Sequence, residues 1–227
     1  MKEALTHSST AKICALCIGG PLIALSIGAP TALASPSAGS GGAHTPGASA
    51  VHTHAAAETQ PSTPNFAMSF NGVSLYQSGT ATATSTRGFN LAVAGAGSSA
   101  YAGGGLFDVA VADKNSTATA SGGILNYADA ENNSTATAQD GTFVVARARN
   151  GSTAMITGGR LNIADANNGS SATVSGGSSN TATADGAGSV AFAGNGNNNT
   201  ATASCGFKAD ASGGNNLVVT QPGGSCP

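Results

Sequence analysis

Tryptophan is absent from this chain, aromatic residues make up only 4% of it and charged residues only 8%. A thick globular core of bulky side chains is therefore excluded. The net charge of −2 comes with no basic cluster, so nucleic acid is not an expected partner. Histidine is missing from everything after position 54, the four lying at 7, 44, 52 and 54. That removes a Ser-His-Asp or Cys-His arrangement from the later part of the chain, and no enzyme is expected. His52 and His54 alternate on a segment without Cys or carboxylate company, and they read as a solvated pair rather than a metal site. The Gly-Gly-x-Gly-x-Asp signature of calcium-binding nonapeptides is also missing, because Gly158-Gly159-Arg160-Leu161-Asn162-Ile163 has neither the third Gly nor the Asp. No catalytic residue, cofactor or metal ligand is assigned.

What the chain has instead is a period. Ser98, Ser116, Ser134, Ser152 and Ser170 each open a copy of one pattern, 18 residues apart. Another copy starts at Ser189 after a one-residue insertion, and a looser one, also with an insertion, is placed near Gly79. Each copy reads as an alternating run, a Gly-rich turn, a second alternating run and an Asn/Gly/Asp-rich turn. Two short strands and two turns per repeat are the mark of a β-solenoid coil. Low charge and biased composition also fit a disordered chain, but strict alternation at a fixed period does not arise from composition alone. The expected fold is all-β: a flattened two-sheet parallel β-solenoid of about seven 18-residue coils.

Counting from each opening Ser, positions thirteen and fifteen are Ala in every copy, for example Ala92/Ala94, Ala128/Ala130 and Ala201/Ala203. Positions three and five are nearly always Ala, from Ala100/Ala102 to Ala191/Ala193, with Ile156 and Val174 as exceptions. Alternate residues of a strand share a face, so each pair points one way. Invariant small size at four stacked positions indicates an interior where two sheets nearly touch. Position eleven, with the same parity, is Asn90, Asp108, Asn126, Val144, Asn162, Asn180 and Asn199, a candidate hydrogen-bonding ladder. Asp129, Arg147 and Asp165 share position fourteen, and Glu131 and Arg149 share position sixteen, which suggests charge pairing between coils at the surface.

Positions ten and twelve are apolar over five coils: Phe89/Leu91, Phe107/Val109, Leu125/Tyr127, Phe143/Val145 and Leu161/Ile163. The stripe then fades to Ser179/Thr181 and Asn198/Thr200. Two readings stay open. The stripe is an association face, or part of it turns inward at a corner and supplies core that Ala does not. Thr80/Thr82, Thr117/Thr119 and Thr135/Thr137 invite comparison with ice-binding surfaces, but Tyr101, Met155 and Phe192 break the rank.

The ends divide as follows. Residues 1–34 read as a signal peptide: Lys2 and Lys12 precede the apolar run Ile13 to Ile27, and Ala32-Leu33-Ala34 is a small-x-small cleavage site. Cys14 and Cys17 would leave with it, and no membrane span remains in the mature chain. Residues 35–65, rich in Pro, Ala, Ser and Gly, read as a disordered linker. Residues 66–78 concentrate bulky side chains ahead of the first coil and read as an N-terminal cap, followed by repeats over 79–203. In 204–227, Cys205 and Cys226 bracket a partial eighth coil, and in an exported chain they are expected to close a disulfide and pin a C-terminal cap.

Val73-Ser74-Leu75-Tyr76-Gln77-Ser78-Gly79 and Leu217-Val218-Val219-Thr220-Gln221-Pro222-Gly223 resemble the strand–Gln–x–Gly step of curlin-type repeats, and Asn180-Thr181-Ala182 and Asn199-Thr200-Ala201 their Asn-x-Ala step. The central repeats lack the Gln at the end of each half-coil, and the period differs. The resemblance implies a bacterial exported solenoid, secreted or envelope-associated, acting as a structural or adhesive, adhesin-like surface element. Its partners would be its own copies or a cell-surface molecule. The alternative is a fibre-forming or ice-binding solenoid.

Overall fold

The computed structural model describes residues 64–222, and the leader, most of the linker and Cys226 lie outside these. A hairpin comes first: β1 (Phe66–Phe70) and β2 (Val73–Ser78). The first four coils contribute β3 (Thr82–Ser85), β4 (Leu91–Ala94), β5 (Ser99–Gly103), β6 (Val109–Asp113), β7 (Thr117–Ser121), β8 (Ile124–Glu131), β9 (Thr135–Gln139) and β10 (Thr142–Arg149). The last four contribute β11 (Thr153–Thr157), β12 (Ile163–Asn167), β13 (Ser171–Ser175), β14 (Thr181–Asp185), β15 (Val190–Gly194), β16 (Thr200–Ser204), β17 (Lys208–Ser212) and β18 (Val218–Gln221).

These strands make an all-β solenoid of about eight turns with two parallel-rich sheets. Odd strands from β3 to β17 form an eight-stranded sheet, and even strands from β4 to β18 join the hairpin in a ten-stranded one. Equivalent residues of successive coils pair in register, as in Ala110↔Ala128 and Ala118↔Ala136. Only the hairpin departs from parallel pairing: β1 is antiparallel both to β2 and to β4. The first coil differs from expectation. Thr82 pairs with Ser99, an offset of 17, while Leu91 pairs with Val109, an offset of 18. This coil therefore starts at Ala81 and is one residue short, rather than starting at Gly79 with one extra. The outward Thr pair is accordingly Thr82/Thr84, not Thr80/Thr82.

The Ala pairs face in. From Ala92 to Ala203 the pairs at positions three, five, thirteen and fifteen are at most 1% exposed. A buried methyl contributes only about 0.8 kcal/mol, so an Ala core depends on repetition and on a small separation between sheets. Val144, Ile156 and Val174 are the bulkiest side chains that are fully enclosed. The turns bring backbone as close as the strands do: a Cβ on Gly123 would collide with the carbonyl of Gly141, and one on Gly159 with that of Gly177. At the opposite corner the chain reverses through paired left-handed residues such as Asn132-Asn133 and Asn168-Gly169, which Asn and Gly adopt at least cost.

Enlarging Ala128 or Ala164 to Leu is expected to destabilise by roughly 1–3 kcal/mol or more through overpacking. The same change at Thr117 or Thr135, on an outward face, should be nearly neutral. Thermal melts of the four variants rank them, and the opposite order would reject this interior.

Candidate association face and the ladders beneath it

Each corner between a Gly-rich turn and the second strand rests on a ladder of buried polar side chains. Position eleven is fully enclosed in every coil from Asn90 to Asn199. The side chains bond to the backbone of the neighbouring coil rather than to one another. Asn180 N–H donates to Asn162 Oδ1 at 2.9 Å, Asn199 N–H to Asn180 Oδ1 at 2.9 Å, and Leu217 N–H to Asn199 Oδ1 at 3.0 Å. The amide Nδ2 of Asn180 donates to the carbonyls of Gly176 and Gly196, one in its own turn and one in the next. A single Asn side chain thus satisfies turn groups on two coils, which an apolar side chain cannot do. A second ladder runs through the opening serines: Ser116, Ser134 and Ser152 N–H each donate to the Oγ of the preceding Ser, at 3.1–3.2 Å.

Asp108 is the exception in the Asn ladder. Its Oδ1 accepts from Asn126 N–H at 3.1 Å, but its Oδ2, enclosed beside Gly105, has no partner among the described residues. Burial pushes the carboxyl up to about 6, and hydrogen bonding from Asn126 offsets only part of this. Protonated on Oδ2, it presents the donor that Nδ2 presents in the other coils. Val144, which has no polar side-chain atom, then interrupts the ladder, and Asn126 Oδ1 has no partner among the described residues.

Outside this ladder stands the apolar stripe. Phe89, Phe107, Leu125, Phe143 and Leu161 all have φ between 54° and 60°, in the left-handed region. Phe89, Phe107 and Leu161 lie in turns and Leu125 and Phe143 near the starts of β8 and β10, and all five project outward, 38–58% exposed. Position twelve lies on the outer face of the ten-stranded sheet, where Leu91, Val109, Tyr127 and Val145 are half-buried and Ile163 is exposed. All ten stripe residues therefore stand on one outer corner and its adjoining face, and none of them enters the enclosed core. Phe89 and Phe107 stack with ring centroids 5.5 Å apart and planes 11° apart, and Phe70 of the hairpin extends the row at 6.5 Å from Phe89. Leu106 and Ile124, paired by a bridge at position nine, widen the ridge, and both are exposed. Sequence reading missed these two, although apolar residues recurring one place before the stripe were there to be found.

Beyond position twelve the face turns charged. Asp129, Arg147 and Asp165 do align across β8, β10 and β12. The ion pair that forms is diagonal, Arg149 with Asp129 at 3.8 Å, and Lys114 meets Glu131 at 3.1 Å. Burial raises the Asp129 carboxyl despite Arg149 and Arg147. At the far corner Asn132, Asn150, Asn168 and Asp185 form a surface ladder with contacts of 2.8–3.2 Å.

No family model, curated protein or solved structure matches the chain. The likeness to curlin repeats thus rests on the short steps quoted above, and they divide structurally. Val73–Ser78 is a strand of the antiparallel hairpin, whereas Val218–Gln221 is a parallel strand of the stack.

Asp108→Asn is expected to make stability less dependent on pH. With a folded value near 6 against an ordinary 3.8, the folded chain holds a proton that the unfolded chain releases. Stability present below about pH 4 is therefore lost as pH rises through about 6, by roughly 2–3 kcal/mol. Urea melts at pH 4 and pH 7 should differ by about that much for the native chain and much less for the variant.

Proposed function

We propose that the protein is a non-enzymatic, exported structural repeat protein that adheres through the ridge. One observation carries this reading: five successive coils keep a large apolar side chain exposed at a left-handed position. That backbone conformation costs a non-Gly residue about 1–2 kcal/mol. The later coils meet the same requirement with Ser179, Asn198 and Asn216, all at positive φ. The coil geometry thus needs neither Phe nor Leu there. Stacking of Phe89 on Phe107 returns about 0.5–1.5 kcal/mol, but Phe143 and Leu161 have no such ring partner among the described residues. Contiguous exposed apolar surface on a folded domain is characteristic of a contact with a partner or a lipid surface. The ice-binding alternative gains no support, since Tyr101, Met155 and Phe192 still interrupt the outward Thr ranks of the eight-stranded sheet.

Changing Leu125, Tyr127 and Val145 together to Ser or Thr copies what the last coils carry. The variant should retain its β-sheet circular dichroism and lose attachment to cells or envelope fractions. Unfolding would make the stripe core and remove the adhesive reading.

Export has its own test. Protein recovered from the medium or envelope should begin near Ser35 and carry a Cys205–Cys226 bond, worth about 3 kcal/mol for a loop of this size. Intact mass with and without reductant and alkylation measures both, and two free thiols in oxidising surroundings would defeat the pairing.

A further inference from the structure

The two ends of the solenoid are not equivalent. At the first end, the hairpin and Asn65 cover β3, the edge strand of the eight-stranded sheet, through side-chain hydrogen bonds rather than strand pairing. Ser69 Oγ and Ser85 Oγ share a 2.7 Å hydrogen bond, Gly72 N–H donates to Ser85 Oγ at 3.1 Å, and Asn65 Oδ1 accepts from the N–H groups of Thr80 and Ala81. In the ten-stranded sheet the hairpin itself makes the edge, because β2 ends the strand order and, among the described residues, pairs only with β1. An edge strand carries a row of unpaired N–H and C=O groups, and charge, proline or shortness ordinarily guards it. At the far end β17 carries exposed Lys208 and Asp210, and β18 is four residues long and followed by Pro222. β2 is six residues long, VSLYQS, with no charge and no proline. Val73, Leu75 and Tyr76 on it are 58%, 57% and 43% exposed. Its one guarding feature is a register shift opposite Met68/Ser69, which leaves Leu75 unpaired.

We infer that β2 pairs antiparallel with β2 of a second copy, making a two-fold dimer joined at the hairpin ends. This surface is separate from the ridge, and the inference does not rest on the adhesive reading. The direction of β2 decides between the possible self-contacts. Because β1 is antiparallel to β4 and β2 antiparallel to β1, β2 runs parallel to the coil strands. A head-to-tail stack on β18 would form a parallel pair and carry the charged β17 toward the hairpin. A two-fold contact uses only the unguarded edge and forms the antiparallel ladder, the more stable per residue. It also closes, as most assemblies of identical chains do. The outer face agrees. Met68, Phe70, Val73 and Tyr76 leave the hairpin face uncharged, so the two-fold joins like surfaces, while the last coils face outward with Thr200 and Thr202.

Sedimentation equilibrium of the purified chain should give twice the chain mass. Leu75→Lys should weaken the dimer at least tenfold with the thermal melt preserved. Under mild oxidation Leu75→Cys should yield a covalent dimer, since the axis passes near the centre of β2, and Val218→Cys should yield none beyond the level of the native chain. The cross-link reads the contact even if the lysine variant unfolds. A monomer at all concentrations would overturn the inference, as would a series of masses beyond the dimer, which marks head-to-tail growth. A dimer that survives Leu75→Lys but is lost on changing Leu125, Tyr127 and Val145 would also overturn it and assign the contact to the ridge.

Discussion

The small separation of the two sheets is the constraint on which the rest of the molecule depends. It admits little more than a methyl group at most interior positions, so nearly every enclosed strand residue is Ala. Each such residue brings little hydrophobic stabilisation. The stack compensates through regularity: every coil meets its neighbour in the same register, and the polar groups of each turn are satisfied by the next. Asn at position eleven is the residue that makes this possible, with an acceptor for the coil on one side and donors for two turn carbonyls. Among the described residues the unpartnered buried side-chain atoms, Asp108 Oδ2 and Asn126 Oδ1, lie in the stretch of this column where Asp108 and Val144 stand.

A core this thin has a second consequence. Apart from Val144, Ile156 and Val174, the large apolar side chains of the described residues stand outside the core or at the ends. The ridge occupies corners where the backbone requires only a left-handed residue, and the hairpin holds a second concentration of them. The side chain at position ten is thereby released from the fold and is free to serve contact. The same holds for position twelve, where Thr181 and Thr200 follow Ile163 while the Ala pairs continue beneath them.

Much of this was legible in sequence because a solenoid ties tertiary position to sequence position. A residue's neighbour in space is its counterpart one period later, so the period, the parity of the Ala pairs and the Asn column carried over directly. What did not carry over involved local backbone geometry. Alternation places Phe107 on the same face as Val109, but a residue at φ 60° no longer obeys strand alternation and belongs to the corner. The first coil was misplaced because Thr80, Thr82 and Thr84 fit the pattern equally well, and only pairing chooses among registers two residues apart. The salt bridges formed diagonally because long Arg side chains reach past the opposite residue.

By itself, then, the sequence determined the solenoid, its repeat length, the inward parity and the buried polar column. Each follows from side-chain size and hydrogen-bonding capacity recurring at one interval. Only the tertiary structure decided that the stripe stands outside the core and that the hairpin adds two antiparallel strands to one sheet. It alone shows that, among the described residues, the first end leaves an uncharged strand edge unpaired. Those outcomes depend on backbone dihedrals at corners and on which edge the non-repeating segment joins, and neither is encoded in a period.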